Sequence, residues 1–152
     1  MRGRASRDRG ARAELAVANL RANGFPGARR YLAGDGRQPG DIDFHPEVCL
    51  EVKDVERSSW PSWRAQAMAE ARPGQLVVVV RRVRGVTDVG RWDAQSRLVG
   101  TPIDLPVSSV QACPRTGVIW ASTTLAEIVH HLQPRCDIHY RRPTACLRTV
   151  SS

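Results

Sequence analysis

Two acidic residues and one lysine occupy a short stretch of this sequence at a spacing that could hold a metal ion. The stretch reads GDIDFHPEVCLEVKD, and it contains Asp41, Glu51 and Lys53. Carboxylate oxygens are ligands that Mg²⁺ and Mn²⁺ prefer, and such a metal polarises phosphates and lowers the pKa of a bound water. A lysine is a compact positive charge that can approach an attacking water or a phosphate oxygen. The residue types indicate metal-assisted hydrolysis of a phosphate ester.

Lys53 is also the only lysine among the 23 basic residues of the chain, and all the others are arginine. A genome rich in G and C favours arginine codons, which explains why lysine is otherwise missing. The guanidinium of an arginine is a wide, planar fork that stays protonated, so it would fit poorly between a metal and a water. The single retained lysine is therefore a candidate for a role that arginine cannot take.

Two strands joined by a tight turn are the elements that must position this trio. Residues 41–44 and 48–53 alternate with the period of two that is typical of strands, and His-Pro-Glu at 45–47 connects them. Period two places Glu51 and Lys53 on the same face of the second strand. The intervening apolar residues then point to the core side.

The register of this hairpin decides which aspartate joins the site. If Phe44 pairs with Val48, antiparallel pairing places Asp41 directly opposite Glu51, with their Cβ atoms about 5 Å apart. Two carboxylates so placed repel each other unless a positive charge lies between them, which favours a divalent metal. Asp43 lies on the same face and could replace Asp41 if the turn were longer. The assumed register favours Asp41.

The rest of the chain predicts an α/β protein with a mixed central β-sheet flanked by helices. We expect one domain over 1–133, with a basic N-terminal arm, and a basic, flexible C-terminal tail over 134–152. The hydrophobic periodicity predicts helices at 8–23, 60–72 and 123–133, and further strands at 29–33, 75–83 and 118–121.

The net charge of +8 predicts a polyanionic partner, either nucleic acid or an acidic membrane surface. The chain has no run of 18 apolar residues and no secretory signal, so we expect no membrane association and a cytoplasmic location with free cysteine thiols. Nucleic acid is therefore the favoured partner. The candidate phosphate contacts are six arginines, four in the N-terminal arm and two at the end of the strand at 75–83: Arg4, Arg7, Arg9, Arg12, Arg81 and Arg82.

At Gly40-Asp41-Ile42 and Glu51-Val52-Lys53, the sequence resembles the PD-(D/E)XK nuclease superfamily. The second segment matches the E-x-K motif of that superfamily, and the first stands where Pro-Asp-Ile is frequent, with glycine in place of proline. The resemblance implies a restriction-endonuclease-like core. It also implies that Asp41, Glu51 and the Val52 carbonyl hold Mg²⁺, for which Mn²⁺ can substitute, while Lys53 orients or deprotonates the attacking water.

More narrowly, the chain looks like the archaeal-type Holliday junction resolvases and their phage relatives. Those enzymes begin with a basic residue and a glycine followed by a helix glutamate, a pattern present here as Arg9-Gly10 and Glu14. The resemblance implies that Glu14 joins the metal site and that Gln66, on the helix after E-x-K, lies near it. It also implies a homodimer that cuts a four-way junction, in a bacterial cell or, if the protein is phage-encoded, in the host cytoplasm.

Two alternatives keep most of these residues in place. The first is a nuclease of the same fold that acts on forked, flapped or mismatched DNA or on a restriction site, and its catalytic residues would be identical. The second is a DNA-binding module without catalysis, which would use the basic surface alone. The full set Glu14, Asp41, Glu51 and Lys53 favours an enzyme.

Overall fold

A computed structural model of the chain describes residues 2–19, 28–31, 40–43, 45–97, 109–114 and 116–132, which form a mixed sheet with helices on both faces. The predicted tail at 134–152 lies outside these residues. The elements, in chain order, are α1 (Arg2–Ala18), β1 (Arg29–Arg30), β2 (Ile42–Asp43), β3 (Val48–Lys53), α2 (Trp60–Glu70), β4 (Leu76–Arg81), a 3₁₀ turn (Val89–Arg91), β5 (Asp93–Arg97), β6 (Ser109–Ala112), β7 (Ile119–Thr124) and α3 (125–132).

The described strands form one sheet of seven, in the order β1-β2-β3-β4-β5-β7-β6. The central pair β3 and β4 is parallel, and the other neighbours are antiparallel. Both central strands are buried on both faces, and β4 is a near-continuous apolar run rich in valine. The predicted α/β class with a mixed central sheet flanked by helices is confirmed.

The two faces of the sheet are covered by different helices. On one face, α1 and α3 pack through residues such as Val17 and Ile128 against Leu50 and Val78 of the central strands. On the other face, α2 packs Trp63 and its neighbours against β4 and β7. Because side chains alternate along a strand, the odd-numbered residues of β3, including Glu51 and Lys53, face α2.

The predicted hairpin register is confirmed, since Ile42 of β2 pairs with Leu50 of β3. The turn between them is closed by a hydrogen bond from the Val48 N–H to the His45 carbonyl at 3.0 Å. Buried His45 also accepts a hydrogen bond at Nδ1 from the Glu47 N–H at 3.1 Å. The alternation of apolar and polar residues was sufficient to set this register because a slip by one residue would reverse every side chain.

The start of the first helix was predicted wrongly. The helix begins at Arg2, not at Asp8, so the basic N-terminal arm is the first half of α1. Arginine and alanine are strong helix formers, and no proline interrupts the segment, so Asp8 is an interior residue and not a cap. Arg7, Arg9 and Arg12 are thus displayed on an exposed helical surface, and Arg12 Nε donates to the Asp8 carbonyl at 3.2 Å.

The remaining boundaries differ from the predictions by a few residues. The helix predicted at 60–72 ends at Glu70, and the strand predicted at 75–83 covers Leu76–Arg81. The strand predicted at 118–121 is longer and runs over Ile119–Thr124, which shortens the following helix to 125–132. Within the described residues, no helix has both the length and the apolar character needed to cross a membrane.

Candidate active site

Asp41 and Glu51 lie side by side where β2 begins against β3. The Asp41 N–H donates to the Leu50 carbonyl at 2.9 Å, and Asp41 Oδ2 accepts a hydrogen bond from the Val52 N–H at 2.7 Å. The aspartate side chain is therefore held against the strand that carries Glu51. Since the N–H and C=O of one strand residue point to the same side, the Val52 carbonyl faces the Asp41 side of β3.

Glu51 is 1% exposed and is bound through one of its two carboxylate oxygens. Oε1 accepts hydrogen bonds from Lys53 Nζ and, at 2.8 Å, from Gln66 Nε2. Lys53 Nζ also donates to Gln66 Oε1 at 3.0 Å, which closes a ring of three side chains. Glu51 Oε2 is buried and has no hydrogen-bond partner among the described residues. A buried acceptor without a partner is costly, so this oxygen is suited to a ligand that is positive.

The two carboxyl groups are poorly suited to carrying negative charge without a cation. Burial, with a smaller contribution from the charge of Glu14, raises the pKa of Asp41 to about 6, against the lowering effect of the Val52 N–H bond. Burial raises the pKa of Glu51 to about 7, and the neighbouring Asp41 adds to the rise in spite of Lys53. At neutral pH the pair therefore favours either a shared proton or a bound cation.

Glu70 is a site residue that the sequence analysis missed. Its Oε1 accepts a hydrogen bond from Gln66 Nε2 at 3.0 Å, so the Gln66 amide joins it to Glu51. Its negative charge raises the pKa of both Asp41 and Glu51. The spacing of four residues from Gln66, which places both on one face of α2, is the signal that could have found it.

Glu14 lies on α1, which covers the opposite face of the sheet from α2. It is half-buried and forms an ion pair with Arg30 of β1, although its charge still raises the pKa of Asp41. Glu14 thus lies near the edge of the site, outside the ring formed by Glu51, Lys53 and Gln66. Asp43, the alternative to Asp41, is paired with Arg29 at 3.0 Å.

The residues present fit a magnesium ion that keeps part of its water shell. Among the described residues, no three acidic, histidine or cysteine side chains converge into a complete metal site. Mg²⁺ does not need one, since it is commonly bound by one or two carboxylates together with waters and substrate phosphates. Asp41, the unpartnered Oε2 of Glu51 and the Val52 carbonyl supply hard oxygen donors of the kind that Mg²⁺ and Mn²⁺ prefer.

Gly40, which stands in place of a proline, has a geometry that proline could not adopt. Its φ angle is +72°, whereas a proline ring fixes φ near −65°. A Cβ atom at this position would lie 2.5 Å from the Leu50 carbonyl oxygen and 3.0 Å from the Leu50 nitrogen. Because these neighbours are backbone atoms of a central strand, they cannot move aside. Glycine is what lets the chain approach β3 closely enough to place Asp41.

Gly40→Ala should therefore destabilise the protein more than an ordinary substitution of a left-handed glycine. We expect a loss of about 2 to 4 kcal/mol in the free energy of unfolding, from backbone strain combined with the contact to Leu50. Urea denaturation measures this loss. Gly85→Ala is the matched control, because Gly85 has φ +77° and open space around its Cβ position. Equal losses for the two variants would contradict the close approach at Gly40.

The predicted phosphate contacts divide into two groups. Arg81 pairs with Asp93, and Arg82 pairs with Asp54 at 2.9 Å, so internal carboxylates neutralise both of these strand-end arginines. On α1, Arg7, Arg9 and Arg12 are exposed. Arg4 lies in the same helix, and its side chain is outside the described part of the structure. The surface of α1 thus offers more exposed positive charge than the end of β4.

Comparison of the chain with protein-family models, with curated proteins and with solved structures finds no match. The resemblance to nucleases therefore rests on the motif residues and on the geometry given above. That geometry brings together Asp41, Glu51, Lys53 and Gln66 from a segment that spans residues 41–66. Asp41, Lys53 and Gln66 thus lie around the buried carboxylate of Glu51.

Proposed function

We propose that the protein is a metal-dependent DNA endonuclease with a restriction-endonuclease-like core. The observation that carries the proposal is the unpartnered, buried Oε2 of Glu51, a residue whose charged neighbours include Asp41 and Lys53. A buried acid with one open oxygen has little value for stability, because its burial is costly without a partner. It has clear value as a metal ligand.

In this proposal Asp41, Glu51 and the Val52 carbonyl bind Mg²⁺, and Mn²⁺ can substitute for it. When bound, the metal polarises the scissile phosphate and lowers the pKa of the attacking water. The Val52 N–H fixes the orientation of Asp41 through a hydrogen bond of 2.7 Å. Gln66 similarly holds Oε1 of Glu51 at 2.8 Å, which leaves Oε2 as the oxygen available to the metal.

Lys53 has a defined position in the same mechanism. Its Nζ is held by Glu51 Oε1 and Gln66 Oε1, and the side chain is 17% exposed, so part of it remains accessible. From there it orients or deprotonates the attacking water, or neutralises charge on the phosphate. Glu14 and Glu70 flank the site. Each would contact the metal ion through a water molecule or bind a second metal ion.

For the substrate we propose branched DNA, and most specifically a four-way junction cut by a homodimer. The exposed arginines Arg7, Arg9 and Arg12 of α1 bind backbone phosphates beside the cut site, and Arg4 continues the same helix. A two-fold symmetric dimer matches the two-fold symmetry of such a junction and cuts two strands symmetrically. A nuclease that acts on a duplex, fork, flap or mismatch would use the same catalytic residues.

The affinity for a four-way junction, compared with that for a linear duplex of the same sequence, tests the choice of substrate. We expect tighter binding to the junction when both are measured in EDTA at one salt concentration, because ionic strength strongly affects such affinities. Equal affinity for the two DNAs would overturn the junction as substrate. Cleavage of the duplex would then assign the same chemistry to another DNA.

Magnesium should stabilise the protein, and the effect should depend on pH. The pKa values of Asp41 and Glu51 rise from 3.8 and 4.5 to about 6 and about 7 on folding. Between these limits the folded state binds more protons than the unfolded state, so without metal the stability falls as pH rises. Bound Mg²⁺ removes the repulsion. We expect Mg²⁺ to raise the melting temperature more at about pH 8 than at about pH 5.

Thermal denaturation with saturating Mg²⁺ and with EDTA, at the two pH values, measures this effect. Asp41→Asn is the control, since it removes one of the two charges and should remove most of the response to Mg²⁺. A rise in melting temperature that is equal at both pH values, or that persists in Asp41→Asn, would contradict metal binding at this carboxylate pair.

A further inference from the structure

Arg64 of α2 is a partly buried cation without a carboxylate partner among the described residues. Its Nε and Nη2 donate to Gln95 Oε1 at 2.8 and 2.6 Å, and Nη2 also donates to Gln111 Oε1 at 3.0 Å. The guanidinium carbon lies 5.2 Å from the centre of the Trp120 ring. All of these partners are neutral, so they fix the position of the guanidinium without neutralising its charge.

This arrangement differs from that of five other arginines in or beside the sheet. Arg29, Arg30, Arg81, Arg82 and Arg84 each pair with an aspartate or glutamate. Burial lowers the pKa of Arg64, and the group that opposes this effect is the Cys113 thiol and not a carboxylate. A charge that is partly removed from water and lacks a counter-ion is costly unless an anion is supplied from elsewhere.

A cavity of about 700 Å³ lies next to this guanidinium. It is formed between α2 and the edge of the sheet at β6 and β7, and its walls include Met68, Ala112 and Pro114 together with Arg64 and Trp120. Its volume lies within the range of about 300 to 1,000 Å³ that is typical of ligand sites. The cavity therefore has room for an anionic group beside the fixed cation.

The position of Arg64 relates this cavity to the candidate active site. Gln66, two residues along α2, reaches Glu51 on β3, whereas Arg64 reaches Gln95 on β5. These strands face the same helix and are separated only by β4, so they lie about 10 Å apart at about 4.8 Å per strand. A DNA strand with its scissile phosphate at Glu51 would pass close to Arg64 if it crossed α2.

We propose that Arg64 and the cavity beside it bind a backbone phosphate of the DNA strand that flanks the scissile phosphate. The inference rests on the proposed nuclease function for its substrate. The two glutamine side chains and the ring of Trp120 hold the guanidinium ready before DNA arrives, which reduces the ordering cost of binding. Arg64 would thus contact the substrate away from the reacting atoms.

The salt dependence of DNA binding tests this contact. Affinity for a labelled duplex or junction is measured in EDTA over a range of salt concentrations for the wild type, Arg64→Gln, Arg64→Lys and Arg91→Gln. Arg91 is an exposed arginine of the 3₁₀ turn and serves as the charge-matched control. We expect Arg64→Gln to bind about 10-fold more weakly and to reduce the slope of log affinity against log salt by about 1, the loss of one phosphate contact.

Arg64→Lys keeps the charge and loses the planar fork, so it should retain the wild-type slope with a several-fold lower affinity. Circular dichroism confirms that each variant is folded, since Arg64 also ties α2 to the sheet. If Arg64→Gln does not fold, wild-type affinity in Arg64→Lys overturns the proposal. If it folds, an unchanged slope, or a change equal to that of Arg91→Gln, overturns it.

These binding measurements are made without metal, so their outcome is independent of whether the protein cleaves DNA in Mg²⁺. Cleavage of DNA with an unchanged slope in Arg64→Gln would leave the nuclease function standing and remove the Arg64 contact. A reduced slope in a protein that cleaves no DNA would leave the phosphate site standing and remove the nuclease function.

Discussion

Glu51→Gln is expected to abolish DNA cleavage and, at the same time, to make the metal-free protein more stable at about pH 8. Glutamine cannot supply the negative oxygen that a metal needs. Changes to residues that merely support metal ligands lower metal affinity or activity by about 10- to 100-fold. Loss of a ligand itself should therefore lower the cleavage rate by more than about 100-fold. The gain in stability arises because Glu51 is 1% exposed and its ionisation inside the protein is unfavourable even with Lys53 beside it.

The gain should be on the order of 1 kcal/mol at about pH 8, and it should vanish at about pH 5, where the wild-type carboxyl is protonated. Urea denaturation in EDTA measures it, and Glu47→Gln, at an exposed position of the hairpin turn, is the control. DNA binding in EDTA should be retained. A Glu51→Gln protein that is less stable than the wild type at both pH values would contradict the idea that this carboxylate is held in place for a cation.

Lys53→Arg is the second change with a large expected effect. The lysine Nζ lies within hydrogen-bond distance of both Glu51 and Gln66, in a space that is closed on most sides. A guanidinium is wider, stays protonated and would push into the carboxylate pair. We expect the cleavage rate to fall by about 100-fold or more, which is the usual effect of losing a general acid or base.

Single-turnover cleavage rates measure the effect, with DNA affinity in EDTA as a separate readout that should change little. Arg84→Lys is the control for exchanging the two basic residues, since Arg84 is exposed and its pair with Glu56 spans 3.4 Å. Unimpaired cleavage by Lys53→Arg would mean that any positive charge suffices. The retention of one lysine in a chain of arginines would then need another reason.

The hairpin could be predicted from the sequence because its determinants are local. Period-two alternation fixed which residues face α2, and a short turn at 45–47 fixed the register, so Asp41 was correctly placed beside Glu51. The contact between Gln66 and Glu51 was an expectation from the nuclease resemblance and not from a local residue pattern. The apolar run of β4 predicted a central strand for the same local reason.

The features that the sequence did not reveal depend on distant pairing. Arg81 and Arg82 form a basic cluster in the sequence, but β5 and the end of β3 bring Asp93 and Asp54 to neutralise them. Glu70 and Arg64 take their roles from how α2 packs across β3 to β7, which no short pattern specifies. The positive φ angle of Gly40 and its close approach to Leu50 depend on how the chain packs against β3, which the motif does not specify.

Incubation of a labelled four-way junction with wild-type protein, in Mg²⁺ and in EDTA, tests the central claim most directly. Glu51→Gln purified in the same way runs beside it, so that a contaminating nuclease is detected. We predict cleavage by the wild type in Mg²⁺ alone, with products that carry a 5′-phosphate and a 3′-hydroxyl, and no cleavage by Glu51→Gln. Absence of cleavage of junction and duplex by folded wild type in both Mg²⁺ and Mn²⁺, or equal cleavage by Glu51→Gln, would contradict it.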